Sequence, residues 1–364
     1  MLVICPFPEG CAAQQRLKYE QYFADWRAHG WEIAVSNFLD RPTWEVLYKR
    51  GHWPRKALGV AKGYLKRLRD LTRMPRYDLV YVCMWVTPIG TSAFERMARA
   101  RATALVYDIE DNVLGAIEET TDHPNPLIKL LRGRQKYLHL IRTADHVITS
   151  SPFLNASCLA INEHKACTYI SSSVDTDRFA PATRYCNDAP VVVGWTGTFS
   201  SKVYLDLLRG VFQRLAAKIP YKLRVIGNFA YDLPGVDLEV VQWSAAEEVV
   251  QLQVLDIGVY PLPIDDWVLG KSGLKAIQYM AFALPCVATD VGTTPMLIRD
   301  GENGLLVKTE ADWEAALEAL IRDPALRRRL GEAARKDAVA NYSLAAIAGQ
   351  YRAVIEAAAS KGPE

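Results

Sequence analysis

Several features that mark exported, membrane-spanning or metal-built proteins are missing from this sequence. It contains no apolar run long enough to span a bilayer. The opening MLVICPFPEG has too short an apolar run and no basic leader for a signal peptide, and it reads better as a first buried strand. Seven cysteines, at positions 5, 11, 83, 158, 167, 186 and 286, are scattered, odd in number and never spaced Cys-x-x-Cys. That pattern suggests neither a disulfide framework nor a zinc site. The six histidines show no metal-ligand spacing either. No repeat short enough for a solenoid and no low-complexity tract occurs. What is left is an ordinary globular composition, 50% hydrophobic and 23% charged. At 364 residues the chain is too long for one typical core and suits two domains, in a cytoplasmic protein.

The net charge of +2 hides an asymmetry. Residues 1 to 180 carry 24 Lys/Arg against 19 Asp/Glu, and the remainder carries 19 against 22. Much of the excess lies in one run, Tyr48 to Tyr77, where ten basic residues interleave with Trp53, Leu58, Val60, Tyr64, Leu65, Leu68 and Leu71. Such a basic amphipathic segment can lie on an anionic membrane surface, or it can be a solvated helix face with ordinary core contacts.

Apolar strand candidates alternate with segments long enough for crossover helices. They are Leu2 to Pro6, Ile33 to Asn37, Leu79 to Met84, Ala104 to Asp108, His146 to Thr149 and Cys167 to Ile170. After a polar stretch from Ala180 to Pro190, read as the linker, the pattern restarts. Val191 to Trp195, Lys222 to Gly227, Leu238 to Val241, Asp256 to Tyr260, Pro285 to Thr289 and Gly304 to Val307 follow. The prediction is an α/β protein of two Rossmann-like parallel-sheet domains in tandem, over 1–182 and 183–342, with a C-terminal helix over 343–364 that crosses back to the first.

Ligands of such sheets bind at the carboxyl ends of strands, so the loops there carry the information. Gly270-Lys271-Ser272 resembles the end of a Walker loop, but Asp265 stands where that motif needs its first glycine, and Asp265 and Asp266 would repel a polyphosphate. What the tripeptide does offer is a glycine, a cation and a hydroxyl directly before an amphipathic segment, the preparation of a helix N-terminus for an anion. Lys271, Lys275 and Gln278 share one helical face, beside an apolar stripe of Leu274, Ile277 and Ala281. The loop expected after Val191-Val192-Val193 runs from Gly194 to Lys202 and contributes Gly197, Thr198, Ser200, Ser201 and Lys202 as oxygen-bonding groups.

The series from Gly270 to Ala281, followed by Leu284 to Ala288, Val291 to Thr294 and Arg299 to Val307, resembles the retaining glycosyltransferases of family 4, whose two domains face each other across a cleft in the GT-B architecture. Ala144 to Ser151 and Val174 to Pro181 are similar to the approach between domains in that family. The resemblance covers nearly the whole chain. It implies a nucleoside diphosphate sugar donor held by Gly197, Thr198, Ser200, Ser201, Lys202, Lys271, Ser272, Gly273, Lys275 and Gln278. The sequence departs from the pattern at three of the family's positions. Gly270 and Gln278 stand where the family commonly has two glutamates, and Thr198 stands where it has an arginine. Glutamine still bonds ribose hydroxyls but brings no negative charge.

The chemistry implied is transfer of a sugar to an acceptor hydroxyl with retention of anomeric configuration. It needs stabilisation of a leaving diphosphate and of an oxocarbenium-like centre, which a helix N-terminus and Lys271 meet without a metal or other cofactor. Acceptor contacts are expected from Gly10, Ala12, Ala13 and Arg16 in a flexible loop after the first strand, from Trp85, and from Asp111. Asp108 and Glu110 are the candidate catalytic carboxylates, one of which orients the acceptor hydroxyl. Helix capping is an equal reading for Asp108 and Asp111, and Trp85 stacks on a sugar or fills a wall. The acceptor is a glycan, a small molecule or a lipid-linked group met at the inner face of the membrane, and no nucleic acid is expected. The other readings of the two-domain plan are a nucleotide-sugar epimerase or hydrolase, and a non-catalytic nucleotide-sugar binding protein.

Overall fold

Every apolar run identified in the sequence forms a parallel strand. The computed structural model describes residues 1–110, 134–182 and 190–360. Its first sheet comprises β1 (Leu2–Cys5), β2 (Ala34–Asn37), β3 (Val80–Cys83), β4 (Leu105–Ile109), β5 (His146–Thr149) and β6 (Cys167–Tyr169), in the order β2-β1-β3-β4-β5-β6. Its second comprises β7 (Val192–Gly197), β8 (Lys222–Gly227), β9 (Asp237–Gln242), β10 (Ile257–Tyr260), β11 (Cys286–Thr289) and β12 (Gly304–Val307), in the order β12-β11-β10-β7-β8-β9. The chain divides into two units, one of Met1–Ser171, Gly270–Ser272 and Ile347–Glu364, the other of Ser172–Leu269 and Gly273–Ala346. Among the described residues no helix is long and apolar enough to cross a membrane.

Burial on both faces explains the continuous apolar runs. All four residues of β1 and of β3 are buried, as expected of a parallel sheet covered by helices on each side. Leu2, Ile4, Val80, Val82, Leu105, Tyr107 and Val147 pack with Leu71, Leu140 and Leu154 in the first core. Val193, Trp195, Leu223, Val225, Ile257, Val259 and Val287 pack with Phe212 and Leu317 in the second. The helix Leu344–Ala359 carries Arg352, whose guanidinium bonds both Asp25 carboxylate oxygens at 2.6 and 2.7 Å, and Tyr351, whose ring packs on Tyr22 and Trp26.

The basic run forms a helix, Trp53–Arg73, and its cations divide between two faces. A Cβ on Gly59 would stand 2.2 Å from Thr43 Oγ1 and one on Gly63 would stand 2.6 Å from the Phe38 ring, so the helix seats its glycine side directly on its neighbours. Arg67 follows on that side and is fully buried, which corrects its placement among surface cations. Its guanidinium donates to the carbonyls of Cys5, Ser36 and Val86 and pairs with Asp70 at 2.9 Å. Burial works against this charge and Asp70 opposes the loss.

Candidate functional site

The strand orders locate the sites before any side chain is considered. In a doubly wound sheet a crevice opens where neighbouring strands send their connections in opposite directions, outside the carboxyl ends. That point lies between β1 and β3 in the first sheet and between β7 and β10 in the second. The segments that border these crevices are therefore those after β1, β3, β7 and β10.

In the second unit, β7 runs on to Gly197, so Gly194 to Gly197 belong to the strand and the expected loop begins only at Thr198. Two glycines permit this extension. Gly197 pairs with Gly227 at the end of β8, and a Cβ on Gly227 would come 2.8 Å from the Gly197 carbonyl oxygen. Thr198 then starts a tight turn over Phe199–Ser201. The Ser201 hydroxyl accepts from Thr198 N at 3.1 Å, the Thr198 and Ser200 hydroxyls lie 2.8 Å apart, and Asn228 Oδ1 accepts from Phe199 N at 2.9 Å. Lys202 turns to Asp206 at 3.3 Å and lies over the Tyr231 ring. Thr198 and Ser200 are exposed on this turn, whereas Ser201 builds it.

After β10 the chain passes through Asp265, whose carboxylate accepts from Val268 N at 3.1 Å and caps the single turn Val268–Gly270. The residue that breaks the Walker pattern thus has a local structural job. The helix that follows is Leu274–Ala281, with Gly273 as its N-cap at φ +73°. Lys271 therefore precedes the helix instead of sharing its face, and the hydroxyl of Ser272 is not the cap. Glycine is required at 273 on two counts, the left-handed backbone and a Cβ that would sit 2.3 Å from Leu297 Cδ1. Gly270 and Ser272 are buried, Lys271 is half-buried, and these three residues group with the first unit, whereas Gly273–Ala346 belong to the second.

Within the helix, Lys275 lies 5.7 Å over the Tyr260 ring and Gln278 is buried. Tyr279 fixes the helix against the strands. Its hydroxyl accepts from Thr196 N at 3.1 Å, and its ring fills the space left by Gly258, where a Cβ would be 2.3 Å away. Burial pushes the Tyr279 pKa far up, so this hydroxyl stays protonated. A second brace closes the segment after β11. The Thr289 hydroxyl accepts from Leu262 N at 2.9 Å, and the Thr294 hydroxyl donates to the carbonyls of Thr289 and Val291. Asn228, Tyr279, Thr289 and Thr294 were given no role from the sequence, although Tyr279 and Thr294 lie within the segments that carry the resemblance. For Asn228 the signal was position, since it directly follows the glycine that ends β8.

In the first unit, the segment after β1 carries Gly10 at φ +75°, Ala12 as N-cap of the short helix Ala13–Arg16, and Arg16 at its end. Its shape is fixed by two residues the sequence did not flag. Gln15 is fully buried, accepts from Phe7 N at 2.9 Å, and donates to Phe7 O at 3.0 Å and Glu20 Oε1 at 2.9 Å. Glu20 in turn accepts from Gly10 N at 2.9 Å. The expected flexible loop is therefore internally tied. The segment after β3 is held similarly. Arg67 and Tyr107 donate to the carbonyls of Val86 and Met84, and Lys136 donates to those of Thr87 and Ile89. Trp85 sits half-buried on this frame, edge-on to Phe7 and Phe38.

Asp108 departs most from its expected role. It lies within β4, is fully buried, and has the Lys18 ammonium at 2.6 Å and the Tyr81 hydroxyl bonded to it. Burial works against the Lys18 charge, but Asp108 and Glu110 outweigh it and hold the lysine pKa above its usual value. Asp108 therefore ties β4 to the chain after β1. Glu110, directly after the strand, is half-buried. Asp111 lies outside the described residues. Among the described residues no group of three or more His, Cys, Asp or Glu could hold a metal ion.

Comparison with known proteins agrees with this topology. Residues 190–323 match the family described as Glycosyl transferases group 1. The D-inositol 3-phosphate glycosyltransferase of Arthrobacter sp. (strain FB24) is 27% identical over 303 residues, covering 74% of this chain and 68% of that one. Alpha-maltose-1-phosphate synthase of Mycobacterium tuberculosis is 38% identical over 86 residues, 21% of this chain and 22% of that one. Among solved structures, sucrose-phosphate synthase from Thermosynechococcus elongatus aligns over 98% of this chain and 100% of its own, with a TM-score of 0.68 at 16% identity. Anabaena HepE in complex with UDP-glucose aligns over 98% of this chain and 99% of its own, with a TM-score of 0.64 at 15% identity. The segment 190–323, which holds the β7–β10 crevice, thus matches the model of glycosyltransferase group 1, within a chain whose two-sheet α/β fold is that of the GT-B structures it aligns with.

Proposed function

We propose that the chain is a retaining glycosyltransferase of the family 4 kind, moving a hexosyl group from a nucleoside diphosphate sugar to an acceptor hydroxyl in cell-surface glycan or glycolipid synthesis in the cytoplasm. The observation that carries this reading is the coincidence of the group 1 match with the second sheet's switch point, where the Thr198 turn and the Gly273 N-cap both stand. In this reading the free N–H groups at the start of Leu274–Ala281, with Lys271 just ahead in the chain, receive the diphosphate. Charge develops on that diphosphate as the glycosidic bond breaks, so a fixed cation and fixed N–H donors favour the transition state over the ground state. Thr198, Ser200 and Ser272 bond phosphate or sugar oxygens, and Gln278 bonds the ribose hydroxyls. In the first unit, Glu110 orients the acceptor hydroxyl, Asp108 holds β4 in place beneath it, and Gly10, Ala12, Ala13, Arg16 and Trp85 frame the acceptor.

This arrangement needs no metal, because Lys271 and the helix N-terminus supply the positive field. Activity should therefore persist in EDTA, and complete loss with rescue by manganese would contradict the assignment. The direct test is product analysis with a panel of nucleoside diphosphate hexoses, scoring the anomeric configuration of the glycoside by proton NMR. A glycoside of retained configuration is expected. Free sugar formed without any acceptor would instead favour an epimerase or hydrolase, and nucleotide binding without turnover a binding protein.

A further inference from the structure

The outward side of the Trp53–Arg73 helix has a composition that its inward side explains only by contrast. Gly59, Gly63, Arg67 and Asp70 are spent on packing, which fixes the rotation of the helix about its axis. The opposite side then presents Leu58, Leu65 and Leu68 at 57%, 66% and 49% exposure, and Trp53 is exposed at the N-terminal end of the helix. Beside this apolar line stand Arg55, Lys62 and Arg69, all exposed and seven residues apart, so they form one row along two turns per step. The only acid in the helix is Asp70, which is buried and paired with Arg67. Asp40 lies 3.9 Å from Lys62, an exposed contact that solvent screens.

We propose that this face docks the first unit onto an anionic lipid bilayer. The leucines enter the boundary between headgroups and acyl chains, and the row of cations meets the anionic headgroups. A second copy of the chain is the poorer occupant, because two such rows would bring like charges together with no exposed acid on the helix to offset them.

An aromatic path links this surface to the first unit's crevice. Tyr48, 66% exposed just before the helix, packs on Trp44 at 5.9 Å; Trp44 packs on Phe7 at 4.7 Å, and Phe7 on Trp85 at 6.4 Å. Phe7 and Trp85 belong to the segments that follow β1 and β3. Under the function proposed above, on which this last step rests, the acceptor is a hydroxyl on a lipid-borne group delivered along that path.

Cosedimentation with vesicles of phosphatidylcholine alone and of phosphatidylcholine with phosphatidylglycerol tests the docking. The variants are Arg55→Gln/Lys62→Gln/Arg69→Gln and Leu58→Gln/Leu65→Gln/Leu68→Gln, each checked for a native-like melting curve. The native chain should sediment only with the anionic vesicles. Loss of three cations should weaken binding about a hundredfold, at about fivefold for each, and the leucine variant should lose binding at high salt. Recovery of all proteins in the supernatant would overturn the proposal, as would equal binding to neutral vesicles, or a native dimer that the leucine variant abolishes. Nucleoside diphosphate affinity measured without lipid reports on the glycosyltransferase reading separately, and both variants should retain it.

Discussion

Arg67 shows what one residue can hide in a run of like charge. In the sequence it is one of ten cations between Tyr48 and Tyr77, and nothing in their spacing separates it from Lys62 or Arg69. In the fold it ties the ends of β1 and β2 and the segment after β3 through the carbonyls of Cys5, Ser36 and Val86. Arg67→Gln leaves these carbonyls and Asp70 buried without their cation, so denaturant melts should show a loss of about 3 to 5 kcal/mol. A loss within 1 kcal/mol, as at an ordinary surface cation, would contradict that account. Gly273 is the counterpart in the second unit. Its left-handed φ and the nearness of Leu297 predict that Gly273→Ala costs about 1 to 3 kcal/mol of stability, with weaker nucleotide binding as the N-cap shifts. An unchanged melt would show that the segment relaxes freely.

At the scale of elements, the strands were the most legible part of the sequence, because both faces of each central strand are buried and the apolar runs are unbroken. The ends were less so. Gly194 to Gly197 read as a loop, yet they extend β7, because glycine on both β7 and β8 lets the backbones meet at their carboxyl ends. Asp108 read as the last residue of its strand and a candidate catalytic carboxylate, yet the strand continues to Ile109 and its side chain is drawn inward by Lys18 and Tyr81. Those partners lie far off in the chain, so no local pattern announces them. The same holds for Asn228, which steadies the Thr198 turn from the end of β8. Asn228→Ala removes an exposed hydrogen bond of about 0.5 to 1.5 kcal/mol. The account predicts a donor KM raised a few-fold, up to about tenfold, with little change in melting temperature; an unchanged KM would mean that the turn does not meet the donor.

For the whole molecule, sequence and structure agree on two parallel sheets, and the strand order adds what the sequence could not give. It names the two points, β1–β3 and β7–β10, where crevices open, and the flagged residues Gly10, Trp85, Thr198 and Lys271 all lie in the segments that follow those four strands. The chemistry proposed for Lys271 depends on its position ahead of the Leu274–Ala281 helix, where the proposed function has its charge and the helix N-terminus act on one anion. The most direct measurement is calorimetric titration of the native chain and Lys271→Ala with a panel of nucleoside diphosphates. The account predicts that the native chain binds at least one of them and that the variant binds it more weakly by about 1.5 to 3 kcal/mol, the range for a hydrogen bond to a charged group. Equal affinity in the two proteins, or no binding of any nucleoside diphosphate to the native chain, would contradict it.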